Sequence, residues 1–86
     1  MSHEVNSIIL IDKRSIKEIW DSCSAGEKES IRRALKEKFK RSKVTIWHWV
    51  NGITAPTSIN DRELIARIIN KKLGIYVTPE TLFAGK

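Results

Sequence analysis

The chain has 86 residues, 41% of them hydrophobic and 30% charged, with a net charge of +6. That length allows one small domain whose single core buries roughly 60 to 65% of the unfolded surface, so association with a second copy is a natural supplement, and the composition excludes a disordered tail. A lone cysteine, Cys23, excludes an intrachain disulfide and suits a reducing compartment. The longest apolar run, residues 8–11, is far too short to span a bilayer and no cleavable leader pattern stands out, so a cytoplasmic protein without a membrane partner is expected.

Val5, Ile8, Ile9, Leu10 and Ile11 are rich in β-branched side chains, and residues 1–11 read as a short strand or extended arm. Asp12 or Ser15 then caps a first helix over about residues 13–22. Glu18 completes a Ser-x-x-Glu box, and Ile16, Ile19, Trp20 and Cys23 form its apolar stripe. Ser24 with Glu27 opens a longer helix in which Ile31, Ala34, Leu35 and Phe39 recur at helical spacing.

Ser42 caps a third helix that Gly52 ends in the left-handed conformation. Within it Ile46, Trp49 and Val50 make one inward stripe and leave Lys43, Val44, Trp47, His48 and Asn51 on other faces. Trp47 lies about 200° around the helix from Trp49 and should be at least partly exposed, at a contact surface or under the N-terminal arm. Residues 53–59 contain Pro56, lack a helical period and read as a loop. Asn60 with Glu63 supplies the next cap, and Leu64, Ile65, Ile68, Ile69 and Leu73 give an amphipathic helix that Gly74 terminates. Ile75 to Val77 is extended, and Pro79 starts a last turn bearing Leu82 and Phe83.

The charge is unevenly placed. Residues 28–43 hold eight basic residues, Lys28, Arg32, Arg33, Lys36, Lys38, Lys40, Arg41 and Lys43, against Glu29 and Glu37, which accounts for the whole positive excess. A polyanion would use such a segment, although a solvated helix face with lysine stems lying along it has the same composition. Reactive groups are few. His3, His48 and Cys23 stand at no zinc-like or nucleophile-base spacing and no glycine-rich phosphate loop occurs, so an enzyme, a metal site and a cofactor are not expected.

The pattern S-x-x-T-I-x-x-W-x-x-G-x-x-x-P, running from Ser42 to Pro56, resembles the second helix of the Cro/phage-repressor type of helix-turn-helix, often called the XRE family. The likeness extends over residues 31–83, through Leu35 and Phe39 on one side and Ile65 to Leu73 on the other. Lys36, Lys40 and Arg41 depart from it, standing where the family has a small residue and a Gly followed by an apolar residue.

The resemblance implies an all-α, repressor-like domain of four or five helices with an N-terminal strand or arm added. Its helix-turn-helix would span residues 25–51, with C-terminal helices over residues 60–83. It also implies sequence-specific binding to double-stranded DNA, as a homodimer acting in transcription regulation. Base-reading positions map to Lys43, Val44, Trp47 and His48: Lys43 can donate to guanine, and Val44 can touch a thymine methyl. Phosphate-contacting positions map to Arg32, Ser42, Thr45, Asn51 and Thr54, with the neighbouring Arg33 added for its charge, although Asn51 and Gly52 also fit a plain helix ending. An antitoxin-like protein-interaction module, or an accessory DNA-binding protein of recombination, is the alternative. Val5 to Ile11, Trp20, Tyr76, Leu82 and Phe83 are the apolar candidates for a dimer surface or for the monomer core.

Overall fold

A hydroxyl side chain opens every helix among the described residues. The structure, a computed structural model, describes residues 10–86 and contains α1 (Ile16–Ser22), α2 (Ala25–Phe39), α3 (Lys43–Val50), α4 (Ile59–Leu73) and α5 (Pro79–Leu82). Ser15, Ser24, Ser42, Ser58 and Thr78 each take an extended backbone and accept a hydrogen bond from the third residue of the helix that follows. Ser15 and Ser24 form complete capping boxes, because Glu18 and Glu27 accept in return from the serine N–H at 2.8 Å each. Such caps stabilise a helix by about 1 kcal/mol apiece, a useful contribution to helices of seven and eight residues.

Two boundaries differ from the expectation drawn from sequence. Helix α1 starts at Ile16, three residues later than residue 13, because Asp12 does not cap it. Instead the Asp12 carboxylate accepts from the Arg14 backbone N–H at 3.1 Å and from its guanidinium at 2.7 Å, which keeps residues 12–15 out of the helix. Helix α4 is capped by Ser58, whose hydroxyl accepts from Asp61 N–H at 3.4 Å, so Ile59 belongs to the first turn and Asn60 is helical rather than a cap. Asp61 then lies in that first turn, where the helix dipole favours a negative charge.

The five helices close over one core. Ile16, Ile19 and Trp20 of α1, Ile31 and Leu35 of α2, Ile46, Trp49 and Val50 of α3, and Ile65, Ala66 and Ile69 of α4 are buried, joined by Val77, Leu82 and Phe83. Each large side chain so removed from water contributes about 1.5 to 3 kcal/mol before entropy opposes it. Helix α3 packs between α1 and α2, while α4 packs on α2 and α5. Trp20, Leu82 and Phe83, candidates for a dimer surface, are thus committed to the core of the single chain.

Polar side chains tie the C-terminal third together. The Asn70 amide lies against the extended segment after α4, accepting from Val77 N–H at 2.7 Å and donating to Val77 C=O at 3.2 Å. Arg62 donates to Pro56 C=O at 2.6 Å and to Lys86 C=O at 3.2 Å, with its guanidinium 5.7 Å from the centre of the Phe83 ring. Asp12 N–H donates to Tyr76 C=O at 2.8 Å. Of the arm, residues 1–9 lie outside the described residues, and Leu10 and Ile11 are exposed and not in a strand. Among the described residues there is no strand.

Candidate nucleic-acid interface

The turn joining α2 to α3 sets the exposed surface. Lys40 ends α2 with φ 56°, and its N–H donates to Lys36 C=O at 2.9 Å. This is the left-handed conformation for which glycine is the low-cost residue, and Lys40 is the one non-glycine residue to adopt it among those described. Ser42 then starts α3, its hydroxyl accepting from Thr45 N–H and donating to Thr45 Oγ1, each at 3.2 Å.

The far end of α3 is closed as firmly. Gly52, at φ 72°, donates to Trp49 C=O at 3.1 Å and Ile53 N–H donates to His48 C=O at 2.9 Å, the paired bonds of a Schellman motif. Asn51 Nδ2 donates to Trp47 C=O at 3.0 Å. So the plain helix-ending reading of Asn51 and Gly52 describes their contacts. Ser42 and Thr45 are likewise occupied in a cap, and Thr54 is exposed with its N–H 3.4 Å from His48 C=O.

Between these fixed ends the two faces of α3 separate cleanly. Ile46, Trp49 and Val50 point into the core, and the Trp49 indole meets the Phe39 ring edge-on. Lys43, Val44 and Trp47 face out, Val44 being 63% and Trp47 55% exposed. His48 is half-buried with its ring centre 5.6 Å from that of Trp47, so it offers less surface than the other three. Val44 and Trp47 are one turn apart, and with Lys43 and Arg32 of α2 they line one shallow hollow. The middle of α2 and the outward side of α3 therefore form a continuous surface.

The basic segment divides around α2. Arg32, Arg33, Lys36 and Lys43 line a hollow beside the α3 face together with Glu29 and Glu37. Lys38 instead lies with Ala34, Ile68, Lys71 and Lys72 in a hollow against α4. Lys28 turns onto Trp20, with its ammonium 5.7 Å from the ring centre, a cation–π contact that leaves it half-buried. Excess charge in sequence is therefore not all presented on one surface.

Glu29 holds both arginines nearest the site. Arg32 donates to one of its carboxylate oxygens, and Arg33 donates to the other at 3.3 Å. The hydrogen bond from Arg32, reinforced by its charge, lowers the Glu29 carboxyl below the ordinary range. The signal was present in the sequence as i,i+3 and i,i+4 spacing, which places these side chains together on a helix. Elsewhere, half-buried Cys23 donates its thiol hydrogen to Ile19 C=O at 3.2 Å, and burial raises its pKa. Among the described residues, no three His, Cys, Asp or Glu side chains gather as metal ligands, and no helix is long and apolar enough to cross a membrane.

No family model, curated protein or solved structure matches this chain. The helix-turn-helix likeness rests on the residues themselves, and chemically their arrangement offers Arg32, Arg33, Lys36 and Lys43 beside a short helix that exposes Val44 and Trp47. Such a surface can neutralise phosphates and press apolar side chains against a base edge.

Proposed function

We propose that the chain is a repressor-like helix-turn-helix protein that binds double-stranded DNA sequence-specifically, with α3 in the major groove and α2 across the phosphate backbone. The observation that carries this reading is the shared hollow of Arg32, Lys43, Val44 and Trp47, in which α2 supplies a cation beside the outward side of α3. Lys43, Val44 and Trp47 then read bases, with His48 at the margin. Arg32 and Arg33 meet phosphates once they exchange Glu29 for DNA. Ser42, Thr45, Asn51 and Thr54 act chiefly by fixing the ends of α3, so that its exposed backbone and side chains meet the groove in one orientation.

A homodimer would set two copies of α3 in successive major grooves about 34 Å apart, and a cytoplasmic role in transcription regulation follows from such binding. Leu10, Ile11 and Tyr76 are the described apolar candidates still exposed for that association. The exposed pair Val44 and Trp47 also suits a protein partner, as in an antitoxin. DNA is favoured because Arg32 and Lys43 share their hollow.

The test is a titration of wild-type protein and of the Arg32→Ala/Arg33→Ala variant against random duplex DNA at two salt concentrations. The reading expects wild-type affinity to fall steeply with salt, and the variant to bind all sequences more weakly with a shallower slope, since each phosphate left without its cation removes roughly 0.9 from it. An unchanged slope in the variant overturns phosphate binding by this surface, and an absence of duplex binding by the wild type overturns the function.

A further inference from the structure

Three lysines stand around an apolar floor where the last turns of α2 and α4 come together. Lys38 belongs to the last turn of α2, and Lys71 and Lys72 to that of α4. With Glu37 they rim a hollow whose floor is Ala34 and Ile68. The four charged residues are exposed, whereas Ala34 and Ile68 are half-buried although both fall on the apolar stripes of their helices. Among the described residues, no carboxylate forms an ion pair with any of the three ammonium groups. Cations in a last turn complement the helix dipole, which accounts for a lysine at each helix end. It does not account for the apolar surface left in water between them.

The hollow also opens away from α3. Lys36, which lines the hollow beside α3, and Lys38 are two residues apart and hence about 160° around α2 from one another. Glu37 stands between them and lines both hollows. A duplex seated on α3 therefore leaves the α2–α4 hollow open. Three cations against one carboxylate call for an anionic ligand there, and the floor calls for an apolar group among those anions. The phosphate backbone of a nucleic acid presents its charges without a large apolar side group, so it would leave Ala34 and Ile68 uncovered. A protein segment in which aspartates or glutamates flank a large apolar side chain satisfies both halves: the apolar group gains burial, and lysines reach past it on their long stems to the carboxylates.

We infer that the α2–α4 hollow docks an acidic segment of a partner protein, with one large apolar side chain of that segment on Ala34 and Ile68 and its carboxylates on Lys38, Lys71 and Lys72. This surface is separate from α3 and does not rest on the DNA-binding reading. Where α3 also holds a duplex, the partner is carried to it.

Short peptides are the probe. A displayed library of random peptides is selected on the wild-type protein, and the enriched peptides are synthesised and titrated by fluorescence anisotropy. A class that combines Asp or Glu with Leu, Ile, Phe or Trp should emerge, and its affinity should fall as salt rises. Lys71→Glu/Lys72→Glu should weaken its binding about ten-fold, Lys38→Glu should weaken it as well, and a peptide with its acids changed to Lys should regain affinity for the double variant. Changing the apolar residue of the peptide to Ser should weaken wild-type binding about ten-fold. The three lysines are exposed, so these variants should melt close to wild type. The proposal is overturned if no enriched peptide loses affinity in the lysine variants, or if those that do are indifferent to loss of their apolar residue. Displacement of the peptide by excess random duplex DNA would give the hollow to nucleic acid, and a fall from dimer to monomer mass on charge reversal would give it to a second copy of this chain. Either result overturns a separate protein partner.

Discussion

The indole of Trp49 stands edge-on to the ring of Phe39, with centroids 5.4 Å apart and planes at 88°. Phe39 is the last residue of α2 and Trp49 the penultimate residue of α3, so this pair joins the two helices on either side of the Lys40 turn. Replacing Trp49 with Ala should cost about 3 to 5 kcal/mol through reduced burial and a cavity, a large share of the stability of a domain this size. Thermal melting measures it. A variant that melts within a few degrees of wild type would show that α3 is held by other side chains.

Lys40 invites the opposite change. A left-handed backbone costs a residue with a side chain roughly 1 to 2 kcal/mol, so Lys40→Gly should stabilise the fold, by about 1 kcal/mol after the greater freedom of glycine in the unfolded chain is subtracted. For a domain of this length that gain raises the melting temperature by about 4 to 8 °C. A lower melting temperature would mean that the lysine side chain contributes more than its backbone strain costs.

Asn70 binds both backbone groups of buried Val77. Asn70→Ala leaves that N–H and C=O without partners and should cost about 1 to 3 kcal/mol. Amide hydrogen exchange at Val77 should accelerate by more than exchange within α2, since the loss is local. Equal acceleration throughout would instead mark Asn70 as part of the global folding unit.

Glu29 competes with DNA for two arginines. Glu29→Gln should therefore strengthen binding to all duplexes by a few-fold, because Arg32 and Arg33 are freed and a repulsive charge near phosphate is removed. The lowered pKa of this carboxyl gives the pH dependence. Its folded pKa is depressed, so any stability its ion pairs contribute is fully present above the ordinary carboxyl value near 4.3 and is lost as pH falls through the folded value. Between pH 6 and pH 8, where this carboxyl stays ionised, the gain in affinity should be constant. Weaker binding by Glu29→Gln would show that the carboxylate positions Arg32 for DNA rather than withholding it.

Much of the helical framework was legible because it is local. Ser15 and Ser24 meet their glutamates three residues on, and Ile46, Trp49 and Val50 fall on one stripe by spacing alone. The start of α4 was misread because Ser58 and Asn60 are both competent caps two residues apart, and the extended backbone at Ser58 decides between them. The grip of Arg62 on Pro56 and Lys86 spans 6 and 24 residues, which no local pattern encodes. Trp20 was ambiguous for a different reason: an apolar stripe serves a core and an interface alike, and only its burial against the other helices assigns it to the core. At the candidate site the outward residues of α3 followed from helical rotation. The division of the basic run by Glu29, Trp20 and the α4 surface did not, since charge counted along a chain carries no direction in space.

The burial of the three tryptophans has an optical consequence. Trp20 and Trp49 are 9% and 5% exposed, whereas Trp47 is 55% exposed. A neutral quencher dissolved in water therefore reaches one indole of three in the folded chain, and the accessible fraction of the fluorescence reports on the outward side of α3 without any attached dye. A ligand seated on that helix shields this emission, while one bound against α4 and Lys72 leaves it open to the quencher. The two interior indoles serve as a reference that changes only when the chain unfolds.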